Sequence, residues 1–185
     1  MDKTEVTNRD YRACVDDKYC DENAKVFGED YFRKLDYPIV GVNFVQAGRY
    51  CQWLGKRLPT VEEWRAAVSL DGRIYPWGNT IPSCREAVIN GCTPGRPDVV
   101  GSKPEGQSRD GILDLIGNVW EWTSTPGSGK EGIFVTVGGS WSNPDNSPQG
   151  GFEAFNPPNA PAQGMWSQTS NIGFRCVADQ APPNN

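Results

Sequence analysis

The chain has 185 residues, with 18 Lys and Arg against 23 Asp and Glu and a net charge of −5, so no basic stripe exists to neutralise a phosphate backbone and nucleic-acid binding is excluded. It contains no histidine, which removes the commonest general base, proton shuttle and metal ligand together; His-based triads, zinc sites and facial iron sites are excluded. No apolar run approaches the roughly 20 residues that span a bilayer, and the length suits one domain, expected over residues 1–185 with a tail at 179–185.

Glu5-Val6-Thr7 reads as the end of a strand. Thr7 or Asn8 then caps a short helix, with Tyr11, Ala13, Cys14 and Val15 on a rough inner face, that ends near Asp16. Lys18 to Asp36 is polar text suited to a surface excursion. A second helix starts at Asn43, with Gln46 placed to reach back to the cap, and runs to about Leu54. Phe44, Ala47, Cys51 and Leu54 form its predicted buried stripe, and Gly55 stands where a left-handed residue ends a helix. Thr60-Val61-Glu62-Glu63 is a capping box for a third helix whose inner face is Val61, Trp64 and Val68, ending near Asp71-Gly72. Alternation typical of strands appears only in Ile133–Val137 and Ile172–Val177. Helices early and strands with long loops late predict an α+β fold of low regular content, in keeping with 21 Gly, 15 Pro and 7 Trp.

The six cysteines come as Cys14 and Cys20, Cys84 and Cys92, and Cys51 and Cys176, with no Cys-x-x-Cys pair that would suit zinc. A disulfide framework follows, with the two close pairs as loop clips and Cys51–Cys176 as a long tie, although six cysteines allow 15 connectivities. Disulfides imply an oxidising, extracytoplasmic setting: periplasm, cell surface or secreted. Met1-Asp2-Lys3-Thr4-Glu5 is too polar to open a signal peptide, so any export signal is expected upstream.

Several blocks occur together in order: Tyr37-Pro38-Ile39-Val40-Gly41-Val42, Tyr50-Cys51-Gln52-Trp53-Leu54-Gly55-Lys56-Arg57-Leu58-Pro59-Thr60 with Glu63-Trp64, Tyr75-Pro76-Trp77-Gly78-Asn79, Gly117-Asn118-Val119-Trp120-Glu121-Trp122, Gly138-Gly139-Ser140-Trp141 and Gly173-Phe174-Arg175-Cys176. The sequence thereby resembles the formylglycine-generating-enzyme, or sulfatase-modifying-factor, family along nearly its whole length. The resemblance implies a C-type-lectin-like fold in which the positions of Cys51 and Cys176 are bridged in many members. It also implies that the text of Met1–Val6 lies inside the domain after a glycine-rich first strand, which a preceding segment or another chain would supply.

Family enzymes oxidise a substrate cysteine with O₂ through copper held by two thiolates after the Gly-Gly-Ser-Trp block. Cu(I) requires such soft donors, and the matching positions here are Asn143 and Pro148, so no copper is expected. A sister branch binds iron through three histidines, which this chain lacks. The resemblance therefore points to a catalytically degenerate member, a binding or assembly module for a protein or glycan at the cell surface or a subunit of a larger assembly. An oxidase acting on sulfatase cysteines and a purely structural domain of a longer exported protein are the alternatives. Where members carry a substrate groove lined with arginine, and some relatives a diversified ligand-binding face, residues 142–171 are neutral and aromatic. Trp141, Phe152, Phe155, Met165 and Trp166 are the candidate recognition surface, with core packing the competing role for Phe152 and Phe155.

Asn118, Val119 and Glu121 match a position where members bind structural calcium, Asn118 and Glu121 offering hard oxygens. The competing reading gives Asn118 a turn and Glu121 a buried arginine such as Arg175. A second calcium position falls on apolar Ala87-Val88-Ile89 and is not expected to bind. Asp114 with Glu121, or Asp16 with Asp17, read as surface carboxylates rather than a catalytic pair. Lys56 and Arg57 are expected to complement the C-terminal dipole of the second helix.

Overall fold

The computed structural model describes residues 1–22, 30–68, 71–127, 131–143 and 161–179. Each predicted helix forms where its cap stands. In α1 (Asn8–Asp16), the Thr7 side chain accepts from the Asp10 N–H while Asp10 reaches back to the Thr7 N–H. In α2 (Phe44–Trp53), Asn43 and Gln46 make the same reciprocal pair at 2.9 and 3.0 Å, and Gly55 follows with φ +67°. For α3 (Val61–Val68), Glu63 N–H donates to the Thr60 hydroxyl at 3.1 Å and Thr60 N–H to Glu63 at 2.8 Å. Each box satisfies two N–H groups that the first turn leaves without helical partners.

Three helix-level expectations are corrected: Ala13, read onto the inner face of α1, is exposed, as the buried side of that helix is Asn8, Tyr11 and Cys14. Leu54 is 41% exposed, because it is the C-cap of α2 and lies beyond its inner face, and Tyr50 takes its place in the core. Arg57 does not serve the α2 dipole; it forks onto both oxygens of Glu63 at 2.6 and 2.7 Å and reaches Asp179 at 2.8 Å, clamping the start of α3 to the chain's end. Lys56 pairs with Asp2. The Arg57 guanidinium, with help from the Thr60 N–H, holds the Glu63 carboxyl down at about 2.

A four-stranded sheet in the order β3-β2-β1-β4 joins the two halves of the core. Its central strand, β1 (Trp120–Pro126), runs antiparallel to β2 (Ile133–Val137) and parallel to β4 (Ile172–Gly173), and β2 carries β3 (Ala162–Gly164) on its other side. Trp120 and Trp122 join the cluster formed by Tyr11, Ala47, Tyr50, Cys51, Phe174 and Cys176. A second cluster gathers Val61, Trp64 and Val68 of α3 with Leu115, Ile116, Val135 and Val137. Glu121 and Thr123 alternate with the tryptophans, and both are fully buried. Position 173 requires glycine, because a Cβ there would stand 2.6 Å from the Ile39 carbonyl oxygen and 3.0 Å from a Val119 methyl.

Three disulfides form, Cys14–Cys20, Cys51–Cys176 and Cys84–Cys92, and no cysteine is free. Among the described residues no helix is long and apolar enough to cross a membrane.

Candidate functional site

The Gly117–Trp122 block is a structural junction. Asn118 takes the left-handed conformation at φ +55°, which asparagine tolerates better than most side chains. From there its N–H donates to the Val88 carbonyl at 2.8 Å, its own carbonyl accepts from Trp141 N–H at 2.9 Å, and its side-chain oxygen accepts from Asp98 N–H at 2.9 Å. Glu121 receives Arg175 through both carboxylate oxygens at 2.7 Å, with both side chains fully buried. This is the turn-and-arginine arrangement set out above as the competitor to calcium. The side-chain oxygens of Asn118 and Glu121 already accept from protein donors, and with Arg175 in place a cation would be left only the lone pairs these bonds do not use. Chelation is accordingly expected to leave the thermal unfolding midpoint unchanged, as a melting curve with and without EDTA would check.

Arg175 is saturated. Its five N–H groups find Glu121 Oε1 and Oε2, the Leu113 carbonyl at 2.9 Å, and the Asp2 and Lys3 carbonyls at 3.3 and 3.4 Å. Asp114, at φ +56°, is 6% exposed and accepts from Gly101 N–H, and Glu5 is 1% exposed. Asp114 and Glu121 are therefore not surface carboxylates: pairing with Arg175 and with backbone donors draws them inside, away from any solvent cleft. Asp16 and Asp17 are exposed as expected.

The aromatic candidates separate. Phe152 and Phe155, with Pro148, lie outside the described residues. Trp141 is half-buried beside the Gly117 block, its backbone N–H bound to the Asn118 carbonyl. Met165 and Trp166 lie elsewhere, in a groove of about 510 Å³ that they line with Glu131, Gly132, Ile133, Gly164 and Ser167. Two bonds make this groove: Met165 N–H donates to the Gly132 carbonyl at 2.7 Å, and Ser167 N–H closes a turn on Gly164 at 2.8 Å. Trp166 stands at the apex of that turn and is 69% exposed. Sequence reasoning named Met165 and Trp166 but not Glu131, Ile133 or Ser167, since nothing local joins two segments some thirty positions apart.

Asn143 closes a turn where the family's first copper thiolate is expected, its side-chain oxygen accepting from Ser140 N–H at 2.9 Å and from the Ser140 hydroxyl at 2.7 Å. With every cysteine in a disulfide, no thiolate remains, and the residues present do not fit copper.

Residues 1–180 match the family described as the sulfatase-modifying factor enzyme 1-like domain. The chain is 34% identical over 169 residues to "Inactive C-alpha-formylglycine-generating enzyme 2" of Mus musculus, covering 84% of this chain and 54% of that protein. It is 31% identical over 178 residues to the formylglycine-generating enzyme of the same species, covering 80% and 46%. It thus spans about half the length of the curated relatives it matches. The crystal structure of CarF superposes with a TM-score of 0.73 over 97% of this chain and 85% of that one at 20% identity, a likeness of fold.

Proposed function

The chain belongs to the sulfatase-modifying factor family, and on that premise we propose that it works as a non-catalytic extracytoplasmic module, binding a protein or glycan or serving as a subunit of a surface assembly. The observation that carries this reading is the state of the sulfur: six cysteines make three disulfides and leave no thiolate for the oxidase's copper. A relative named as inactive supports it. We place the contact at Trp166, where an exposed indole flanked by Met165, the Glu131 carboxylate and the Ser167 hydroxyl offers a flat apolar surface with polar groups at its rim. Such a surface stacks on a pyranose ring or anchors a protein contact with little loss of side-chain entropy.

Trp166→Ala is the test, read by a glycan array and by biosensor binding to proteins exported with this chain. The substitution should leave stability unchanged to within about 0.5 kcal/mol. Binding should weaken about 30-fold, the effect of losing an anchor worth about 2 kcal/mol. Unaltered binding would remove Trp166 from the contact. A folded protein that binds none of these probes would favour the purely structural reading. Conversion of a sulfatase peptide's cysteine to formylglycine would restore the oxidase.

A further inference from the structure

The Trp166 groove holds a carboxylate as well as an exposed ring. Its floor follows the register of β2 and β3: Ile133 pairs with Gly164, and one step further out Met165 N–H donates to the Gly132 carbonyl. The next step along that register is Glu131 and Trp166, which both line the groove. Gly132, at φ +74°, leaves space for the thioether, since a Cβ there would stand 3.3 Å from the Met165 sulfur. Trp166 and Glu131 are both exposed. Among the described residues Glu131 is the only charged side chain in the lining, and no Lys or Arg pairs with it. The described cations that do lie over rings, Lys34 and Arg49, cover Tyr37 and Tyr19 and leave the indole open.

We propose, resting on the reading of Trp166 as the contact residue, that the groove takes a basic side chain, a lysine or arginine presented by a partner protein, with its cationic head over the Trp166 indole and paired with the Glu131 carboxylate. An indole face attracts a cation through its quadrupole, and Trp is the best of the aromatic side chains at it. The Met165 thioether gives a polarisable flank along which the aliphatic stem of Lys or Arg lies. Glu131 supplies the counterion, and the net charge of −5 draws a basic partner towards this surface. A pyranose uses the groove less fully. It stacks on the indole, but its hydroxyls need donors as well as acceptors, and besides the indole N–H the Ser167 hydroxyl is the one side-chain donor among the described lining residues.

A protein fits better than a free amine. An exposed cation–π contact is individually weak, so the groove holds a cation firmly only when the chain that carries it makes further contacts. Strand β3 offers a place for them: it is the outer strand of the sheet, with Ala162 and Gly164 exposed and β2 as its one strand neighbour among the described residues. An extended segment laid beside β3 runs directly into the groove, because Met165 and Trp166 follow Gly164.

The experiment is an NMR titration of the full chain, disulfides intact, reading the indole ¹H–¹⁵N resonance of Trp166, which is identified by its absence from Trp166→Ala. The probes are end-blocked Gly-Gly-Lys-Gly-Gly, Gly-Gly-Arg-Gly-Gly and Gly-Gly-Gln-Gly-Gly, with methyl β-glucopyranoside alongside. The Lys and Arg peptides should shift the resonance saturably, and the Gln peptide and the glucoside should not. In Glu131→Gln the half-saturating concentration of the basic peptides should rise about fivefold, the effect of losing an exposed ion pair, with the melting midpoint unchanged. A resonance that the basic peptides leave unmoved, or equal affinities in Glu131→Gln and wild type, would overturn the proposal. A shift caused by the glucoside alone would overturn it too, while keeping Trp166 as the contact and giving the groove to a glycan. Basic peptides that shift other resonances equally in wild type and Trp166→Ala would remove both the basic partner and the Trp166 contact.

Discussion

Replacing Cys51 and Cys176 by alanine should lower the stability by about 5 kcal/mol, measured as the free energy of urea unfolding, and should do more damage than removing either clip alone. The long bridge closes a loop of 125 residues, whereas the clips close 6 and 8. Loop-closure entropy grows with the logarithm of that length, giving about 5 kcal/mol for the long tie and about 2 kcal/mol for each clip. Position adds to entropy. Cys51 and Cys176 are both fully buried among Tyr50, Phe174 and Trp122, and the bridge ties α2 to the residue next to Arg175. Cleavage therefore frees the backbone that presents the guanidinium to Glu121. A loss of only about 1 kcal/mol would mean that the unfolded chain is already compact enough for the bridge to restrict little.

The parts of the fold governed by neighbours in sequence were legible. Thr7, Asn43 and Thr60 cap helices because their side chains reach N–H groups three positions away, a relation the sequence writes out directly. The cysteine pairing became readable once two short spacings left one long remainder. Strand β1 was not legible. Its Trp120-Glu121-Trp122-Thr123 text puts an acid where a core strand is expected to be apolar, and what makes Glu121 tolerable in the interior is Arg175, 54 positions away. Strand β3 is three residues long and carries no alternation, and it exists because β2 offers Ile133–Val135 as a partner.

The candidate site divides along the same line. The exposed Trp166 turn was visible as an aromatic in neutral text, while Glu131 and Ser167 join it only through the β2–β3 pairing. The Asn118 and Glu121 donors looked available for a cation because sequence displays donors without their competitors. Their partners here are the Asp98 N–H and the Arg175 guanidinium, neither of which stands near them in sequence.

Arg175→Met should cost about 3–5 kcal/mol, the range for breaking a buried ion pair from one side. The loss has identifiable parts. Glu121 would be left charged and fully buried, and the Leu113, Asp2 and Lys3 carbonyls would lose their donor. Asp114, also buried, would lose the neighbouring cation that favours its charged form. Methionine fills much of the arginine's volume, so a cavity contributes little and the deficit reports on charge and hydrogen bonding. The double variant Glu121→Leu with Arg175→Met separates these parts, because it removes the stranded charge while leaving the three carbonyls without their donor. It should be more stable than Arg175→Met alone, giving a coupling energy of about 1–3 kcal/mol in a double-mutant cycle run by urea unfolding with the disulfides intact. If the double variant were as damaged as the sum of the two singles, the backbone carbonyls rather than Glu121 would be what Arg175 chiefly serves, and its role would be to tie the N-terminal segment and the Leu113 turn to the strand end.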